Sequence, residues 1–567
     1  MEIRLKDSVK AIGAWLQAAQ MVPRSAARIP SAVLYVLILS LALGLRIHLA
    51  SIAHPAQSDS THMIHQGILW AQGEPGALST IWQEFPVLTS GMAYRLGWNP
   101  AEALQGSTVI FGTLLVGLTM LLTRRLFDSD AAAWIAGGWA AANQGLLNFS
   151  VNSMPEIGFA ACLVGAYAIL APSIRGRGVN IVPLLAAYGL LGLGMYFKPL
   201  DSLTAAAFTT GWLALMHLRN LRKVSLQLLA GLTLYVVLVV PHYWLQSHGS
   251  EASSLKLANR SYALVYGHRA YDSKLLYSPD NAFRNDLKEF ERLGAGQWLW
   301  QHRMEVSRRY AANVLISLRI YGTYLFPNAF RLGNAWFIAL LAVLAATRLC
   351  GPLWRPFSFL VLAIMVFPLG VSLSYVYEHW LVIYSALLIV AISGHLVHSH
   401  ALWGVRWKRM AWILLLVAMM ENSAALAYRH HLDQVWRGEH QREIATWLRN
   451  MAGDGERIMT GFPSFSLDFD LDHPRRREQL PCGTGEEVDR YAERHGVTYI
   501  VLCDSFSPHW PINQILLGAP APRNWTLIKA QTFKRLHPIW GEQEETYQIY
   551  KRGEALSAPP GSGESVQ

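Results

Sequence analysis

The chain has 567 residues, of which 52% are hydrophobic and only 15% are charged, and its formal net charge is +10. Soluble domains usually carry about 25% charged residues, so the composition excludes an ordinary soluble enzyme and favours a membrane protein with several spans. The basic residues lie in short clusters between apolar runs, which indicates topology determinants and excludes a nucleic-acid partner.

The first apolar run extends from about Pro30 to Leu49 and follows a basic segment, residues 1–29. It is longer than the apolar core of a secretory signal, which is about 7–15 residues, and many further runs follow it. We therefore predict an uncleaved first transmembrane helix with its N-terminus in the cytoplasm.

Further apolar runs bring the predicted total to about eleven spans within residues 30–428. They lie at 104–123, 132–149, 157–172, 180–197, 200–216, 225–245, 335–349, 357–375, 380–397 and 410–428. Basic clusters follow alternate spans, and by the positive-inside rule these loops are cytoplasmic. The extracytoplasmic side of a plasma (inner) membrane then receives two long outer loops, 51–103 and 246–334, and everything after residue 428.

The second outer loop has two parts. Residues 283–312 have the pattern of an amphipathic helix that lies on the membrane surface. The following segment, Asn313 to Phe326, is apolar but interrupted by Arg319 and Gly322. It either re-enters the membrane or lies along it.

Hydropathy falls to soluble values after residue 429, which predicts a small extracytoplasmic α/β domain over 429–553 and a disordered tail over 554–567. HQREIATWLRNMAG and EEVDRYAERHG read as helices, and ERIMTGF, VTYIVLCD and ETYQIYKR read as strands. Cys482 and Cys503 can form one disulfide if this domain is extracytoplasmic. The alternative is a pair of small buried thiols.

Asp59 is the leading catalytic candidate, because it lies in the first outer loop shortly after the first span. A carboxylate there can deprotonate an acceptor hydroxyl or hold a metal against a phosphate, and the plainer alternative is a solvated loop residue. His62 and His65 follow at three-residue steps and share a broad helical face with Asp59. The three residues predict either a metal site or ordinary polar contacts.

Glu156 and Lys198 lie in two short outer turns. Glu156 follows Pro155 and either caps a helix N-terminus or supplies a second carboxylate that faces the first loop. Lys198 either snorkels to the membrane edge or binds a phosphate as a point charge.

Other polar residues of the predicted outer side are weaker candidates. Arg260 and Arg269 of the second outer loop have the same two interpretations as Lys198, and Glu378 and His379 in the last outer turn are possible metal or substrate contacts. The chain has no GxGxxG, Walker A, HExxH or GxSxG pattern, so no nucleotide is expected.

The order of these elements resembles the polytopic glycosyltransferases of the GT-C fold, in particular the protein O-mannosyltransferase and aminoarabinose-transferase-like group (family 39-type). The similar segments include the loop with Asp59 followed by GEPG and EFPVL, then TRRLFDSDAAAWIAG, NFSVNSMPEIGF, LLGLGMYFKPLDSL and SYVYEHWLVIYSALLI. A soluble domain follows them. The resemblance covers about residues 30–550, and its motifs are short and degenerate.

The resemblance implies a polyprenyl-phosphate sugar donor, with its phosphate near Lys198 and the arginines Arg260 and Arg269. It implies Asp59 as the general base on an acceptor hydroxyl, with Glu156 assisting it or a divalent metal such as Mg or Mn. The anomeric configuration is then inverted, and the acceptor is a lipid, glycan or protein. The chain departs from the family where Asp59 stands without a second acid and where Glu378-His379 replace an Arg-Tyr pair. These departures bear on the acceptor and the metal.

Two other functions remain open at this point. The first is a transporter or flippase of a lipid-linked saccharide, although the chain lacks the internal repeats and mid-span polar residues typical of transporters. The second is a catalytically inactive relative that acts as an assembly subunit, which the altered motifs allow.

Overall fold

A computed structural model of the chain describes residues 31–53, 59–74, 84–247, 282–325, 353–371, 378–398, 439–440, 442–453, 455–460, 477–479, 485–503, 525–537 and 541–553, and positions 420, 424 and 428. Helices form the part up to residue 398. They are α1 (Ser31–Ile52), α2 (Asp59–Ala71), α3 (Glu84–Arg95), α4 (Pro100–Phe127), α5 (Asp130–Ala142), α6 (Gln144–Val151), α7 (Pro155–Ile174), α8 (Ile181–Gly194), α9 (Pro199–Met216), α10 (Leu221–Ser247), α11 (Ala282–Gln301), α12 (Arg303–Leu325), α13 (Trp354–Val371) and α14 (Glu378–His398).

Several helices have the length and composition of membrane spans. Among the described residues, five segments qualify: Ala32–Ile52, Pro100–Phe127, Pro155–Ile174, Arg222–His242 and Leu381–His398. The segment Pro155–Ile174 is 89% buried inside the protein, whereas Ala32–Ile52 is 17% buried. Helix α7 is therefore central, and helix α1 presents its apolar side chains to lipid. The chain is a multi-pass membrane protein, as predicted. The runs 335–349 and 410–428 lie outside the described residues, apart from positions 420, 424 and 428.

Basic residues gather at one end of the helical bundle, named here the basic end. Arg124 Nε lies 2.9 Å from Asp130 Oδ1, and the guanidinium Nη1 of Arg175 donates to the Arg125 carbonyl at 3.2 Å. Arg355 from α13 packs against Gly176, whose φ of 83° favours glycine. Three of the loops that the charge pattern assigned to one side, those with Arg125, Arg175 and Arg355, thus meet at one end. Their cytoplasmic orientation stays a prediction.

The prediction of a single span over residues 132–149 is wrong, because α5 and α6 divide this run at Asn143. Asn143 has extended backbone (φ −66°, ψ 124°), and its side chain accepts a hydrogen bond from the Leu146 N–H at 3.2 Å. An asparagine at an N-cap satisfies an amide that would otherwise lack a partner, so a new helix begins inside the apolar run.

The prediction for residues 283–326 is also corrected. The helix of residues 282–301 is kinked at Gly294 (φ 74°, ψ 160°), and the next helix begins at Arg303 instead of residue 313. Helix α12 then continues unbroken through Arg319 and Gly322 to Leu325. Helix α12 packs against α13 and α14, and the Tyr321 hydroxyl donates to the Ile364 carbonyl at 3.2 Å. These tertiary contacts outweigh the local helix-weakening effect of one glycine.

The C-terminal part contains a five-stranded sheet of order β2-β1-β3-β5-β4. The strands are β1 (Arg457–Thr460), β2 (Arg477–Gln479), β3 (Val497–Cys503), β4 (Trp525–His537) and β5 (Gly541–Arg552). β1 runs parallel to β2 and β3, and β5 runs antiparallel to β3 and β4. The helix of residues 442–451 packs on one face through Ile444 and Leu448, and α15 (Gly485–Arg494) packs on the other through Ala492.

Both predicted helices and the three predicted strands of this part are present, whereas β2 and β4 were not predicted. β2 is only three residues long, and β4 is an edge strand in which polar residues are frequent. Short or polar edge strands give a weak sequence signal. The disulfide between Cys482 and Cys503 lies outside the described part of the chain, which includes only the backbone of Cys503.

Candidate functional site

The end of the bundle opposite the basic end is named here the Lys198 end. At this end α7, α9 and α14 begin, and α10 ends. It brings ionisable side chains from distant parts of the sequence into buried positions. They are Glu84, Glu156, Lys198, Asp201 and His242.

Glu156 and Lys198 form a buried ion pair. Glu156 occupies the first turn of α7, which Pro155 begins after Ser153 turns the chain with a φ of 58°. Lys198 is the N-cap residue of α9. Lys198 Nζ lies 2.5 Å from Glu156 Oε1, and the two residues are 8% and 1% exposed. The structure thus brings two of the predicted site residues into contact. Helix capping by Glu156 or snorkelling by Lys198 would not by itself require this ion pair.

Asp201 lies beside this pair, in the first turn of α9. Its carboxylate is close enough to Lys198 and Glu156 for electrostatic interaction. The Tyr384 hydroxyl of α14 donates to Asp201 Oδ1 at 3.0 Å, and Asp201 is 5% exposed. Since Tyr384 is 183 residues further along the chain, this hydrogen bond fixes the beginning of α9 to a distant helix. Such a bond is stronger than a neutral one when the carboxylate is ionised.

An aromatic cluster holds the turn before Lys198 in place. Phe197 packs against Phe85 and Phe111, with ring centroids 4.4 and 5.3 Å apart. Phe197 also lies on Gly158 of α7, where an added Cβ would stand 2.1 Å from the ring. Only glycine lets the ring approach α7 this closely, so the position of Lys198 is set partly by packing.

A second buried pair joins the first loop to α10. His242 Nδ1 lies 2.6 Å from Glu84 Oε1, and each residue is 1% exposed. The ring of His242 also meets Tyr196 edge to face, and the Phe85 N–H donates to the Tyr196 carbonyl at 3.2 Å. The beginning of α3 is therefore attached both to α10 and to the turn that contains Lys198.

Asp59 is the first residue of α2, and its position follows from how α2 packs on α3. The two helices cross at Gly67 and Gly91, where a Cβ added to Gly91 would stand 2.5 Å from the Gly67 carbonyl oxygen. Arg95 of α3 lies over the Trp70 ring of α2 at 4.3 Å. A continuous set of contacts thus leads from the helix that begins at Asp59 to the Lys198 turn.

The remaining predicted site residues are less fully described. His62 and His65 belong to α2, where His65 is half-buried, and Glu378 and His379 begin α14. Arg260 and Arg269 lie outside the described residues. Within the described part of the chain, no group of three or more His, Cys, Asp or Glu residues forms a set that could hold a metal ion. The side chains of Asp59 and His62, which the sequence predicted as metal contacts, lie outside the described ones, so a bound metal stays a prediction.

Sequence reasoning did not single out Glu84, Asp201, His242 or Tyr384. Asp201 follows Lys198 by three residues in the segment KPLD, which is a usable signal because residues three apart share a helix face. His242 interrupts an apolar run directly after Pro241. Their partners, however, come from other helices and could not be read from local spacing.

Searches against protein-family models and curated proteins found no match. Solved structures do match. The archaeal oligosaccharyltransferase AglB from Archaeoglobus fulgidus, in complex with an inhibitory peptide and a dolichol-phosphate, aligns with a TM-score of 0.53 at 14% identity, over 91% of this chain and 74% of that chain. ArnT from Cupriavidus metallidurans, bound to undecaprenyl phosphate, aligns with a TM-score of 0.50 at 14% identity, over 92% and 99%.

The apo form of the Archaeoglobus fulgidus oligosaccharyltransferase also aligns, with a TM-score of 0.50 at 13% identity, over 84% of this chain and 70% of that chain. At these identities the likeness establishes the fold. The chain has the GT-C fold, as its sequence predicted.

Proposed function

We propose that the chain is a glycosyltransferase that moves a sugar from a polyprenyl-phosphate donor to an acceptor hydroxyl at the extracytoplasmic membrane face. The observation that carries this proposal is the buried Lys198–Glu156 pair, 2.5 Å apart, at the end of the bundle to which the first loop is attached. The solved structures of the same fold that are recorded with dolichol-phosphate and undecaprenyl phosphate support a lipid-phosphate ligand.

Lys198 is the proposed phosphate ligand. Its ammonium group has three N–H donors, and Glu156 Oε1 lies within reach of one of them. A lysine at the edge of an apolar bundle can bind a phosphate at the membrane boundary while the polyprenyl tail stays among apolar helix surfaces. Arg260 and Arg269 are proposed as further phosphate ligands, and Glu156 holds the lysine in position.

Asp59 is the proposed general base. It takes the proton of the acceptor hydroxyl while the acceptor oxygen bonds to the anomeric carbon. The bond from that carbon to the phosphate oxygen breaks, and its electron pair leaves with the polyprenyl phosphate. Attack opposite the leaving phosphate inverts the anomeric configuration. Helices α2 and α3 cross at Gly67 and Gly91, and the beginning of α3 is attached to the Lys198 turn. These contacts support a position of Asp59 close to the phosphate site. A lipid, glycan or protein supplies the hydroxyl.

The test uses purified full-length protein and a labelled polyprenyl-phosphate sugar in detergent, with Asp59→Asn alongside. We expect transfer or hydrolysis by the wild type and loss of at least about a hundredfold in the variant. Asp128→Asn is the matched control, because Asp128 lies at the basic end and has the left-handed backbone that asparagine also tolerates (φ 55°).

Three results would count against the proposal. Equal turnover by Asp59→Asn removes Asp59 from the mechanism. Movement of the intact lipid-linked saccharide across liposomes without bond cleavage favours a flippase. Binding of the donor without turnover by any variant favours an inactive assembly subunit.

A further inference from the structure

The described side chains of the phosphate site proposed above, which do not include Arg260 and Arg269, contain more negative than positive charge. Among the described residues, Glu156, Lys198 and Asp201 form one electrostatically connected cluster, and each is less than a tenth exposed. With all three ionised, two carboxylates face a single ammonium group, and the cluster has a net charge of −1. An anionic phosphate that binds at Lys198 adds a further negative charge in the same buried place.

We propose that Asp201 takes up a proton when a lipid-linked phosphate binds at Lys198, and that Tyr384 holds Asp201 in position for this exchange. This inference rests on the proposed function of Lys198. Water does not screen the repulsion between like charges in a buried site. A carboxylate close to an arriving anion therefore binds a proton more strongly. Uptake of the proton offsets the negative charge of the phosphate, so the net charge of the cluster and its ligand stays at −1.

The two carboxylates are not equivalent. Glu156 Oε1 lies 2.5 Å from Lys198 Nζ, so Glu156 is in direct ion-pair contact with the cation. Asp201 accepts a hydrogen bond from a neutral hydroxyl, that of Tyr384, and another from a backbone N–H, and it interacts with Lys198 only through space. The protonation therefore falls on Asp201, the carboxylate without a cation in ion-pair contact among the described side chains.

Among the described side chains, the other titratable groups around α9 are directed elsewhere or are neutral. Tyr321 of α12 is close to Asp201. Tyr167 and Tyr188 contact Thr209 and Thr210 further along α9, and Tyr235 contacts Ser202. His242 pairs with Glu84, and Arg355 of α13 lies at the basic end. Within the described residues, Lys198 is thus the cation that acts on Asp201.

The test measures proton uptake during binding of undecaprenyl methyl phosphate to the full-length protein in detergent. This probe is a phosphodiester, so its single charge does not itself titrate near neutral pH. Calorimetry in two buffers of different ionisation enthalpy gives the number of protons, and repeated titrations give the affinity between about pH 6.5 and 8.5. We expect wild-type uptake at the upper end of this range, with an affinity that falls by up to about tenfold per pH unit.

Asp201→Asn should bind the probe without proton uptake and with an affinity independent of pH. Wild-type binding without uptake overturns the inference and leaves the proposed phosphate site intact. Uptake that persists in Asp201→Asn, or that is lost only in Glu156→Gln, also overturns it. Absence of any wild-type binding refutes the phosphate site itself, and the inference with it.

Tyr384→Phe provides the second variant, because it keeps the carboxylate and removes one hydrogen bond. The Tyr384 hydroxyl donates a hydrogen bond that stabilises the ionised carboxylate of Asp201. Without this donor Asp201 should keep its proton to higher pH, and the pH profile of binding should move to higher pH. Tyr188→Phe is the matched control, since it removes another tyrosine contact to α9, the one with Thr210, and should leave the profile unchanged. A Tyr384→Phe profile identical to that of the wild type contradicts the role of the tyrosine, even if Asp201→Asn does not fold.

Discussion

Lys198 Nζ lies 2.5 Å from Glu156 Oε1, and both side chains are withdrawn from solvent at the boundary of an apolar helical bundle. The two residues are brought together by the beginnings of two different helices, α7 and α9. Each charge is acceptable in this position because the other one is present.

Replacing one member of the Lys198–Glu156 pair should therefore lower the free energy of unfolding more than replacing both. We expect Lys198→Met to lower the free energy of unfolding by about 3–5 kcal/mol, because Glu156 is left as an uncompensated buried charge. The double variant Lys198→Met with Glu156→Gln should recover part of this loss. Thermal or denaturant unfolding in detergent measures the difference. Additive losses would show that the pair is not a coupled unit.

The crossing of α2 and α3 should not tolerate a methyl group. In Gly91→Ala the added Cβ would lie 2.5 Å from the Gly67 carbonyl oxygen and 2.6 Å from Trp70, so the helices must separate. We expect glycosyl transfer to fall at least about tenfold, since small displacements of a catalytic base are costly. Gly106→Ala on α4 is the control, because nothing lies within 4 Å of its added Cβ. It should be neutral or stabilising by up to about 1 kcal/mol. Equal effects of the two substitutions would contradict the close crossing.

The pair of Glu84 and His242 should be energetically coupled. The two side chains lie 2.6 Å apart and connect α3 with α10. We expect a double-mutant cycle with Glu84→Gln and His242→Phe to give a coupling energy of about 1–3 kcal/mol. Unfolding of the four proteins supplies the measurement. A coupling energy near zero would mean that this pair does not contribute to the attachment of α3 to α10.

The turn after α3 should contact lipid at the membrane interface. Leu96 and Trp98 of this turn are exposed, at 61% and 64%, and so is Met92 in the last turns of α3, at 56%. Helix α4 begins its membrane span directly after them. Tryptophan favours this boundary because its ring is apolar and its N–H is polar. In liposomes with brominated lipids, Trp98→Phe should remove part of the quenchable fluorescence. Trp139→Phe, at a fully buried position, should not. The opposite pattern would place the turn away from lipid.

The sequence predicted the fold to a large extent, because spans, turns and basic loops depend on local composition. The run 180–197 predicts α8, and Pro155 and Pro199 mark the first residues of α7 and α9. The errors arise where tertiary contacts outweigh local patterns. Asn143 divides an apolar run by capping α6, and α12 passes through Gly322 because it packs against α13 and α14.

The sequence by itself determined the membrane class, the order of the helices and the candidates Asp59, Glu156 and Lys198, since hydropathy and charge spacing are properties of the chain. The tertiary structure alone decided that Lys198 pairs with Glu156, that Tyr384 reaches Asp201 and that Glu84 meets His242. Each of these contacts joins different helices. Side chains at helix ends become neighbours only when close packing fixes which ends meet. Burial then lowers the local dielectric constant and strengthens the electrostatic interaction between their charges, which a local sequence pattern does not show.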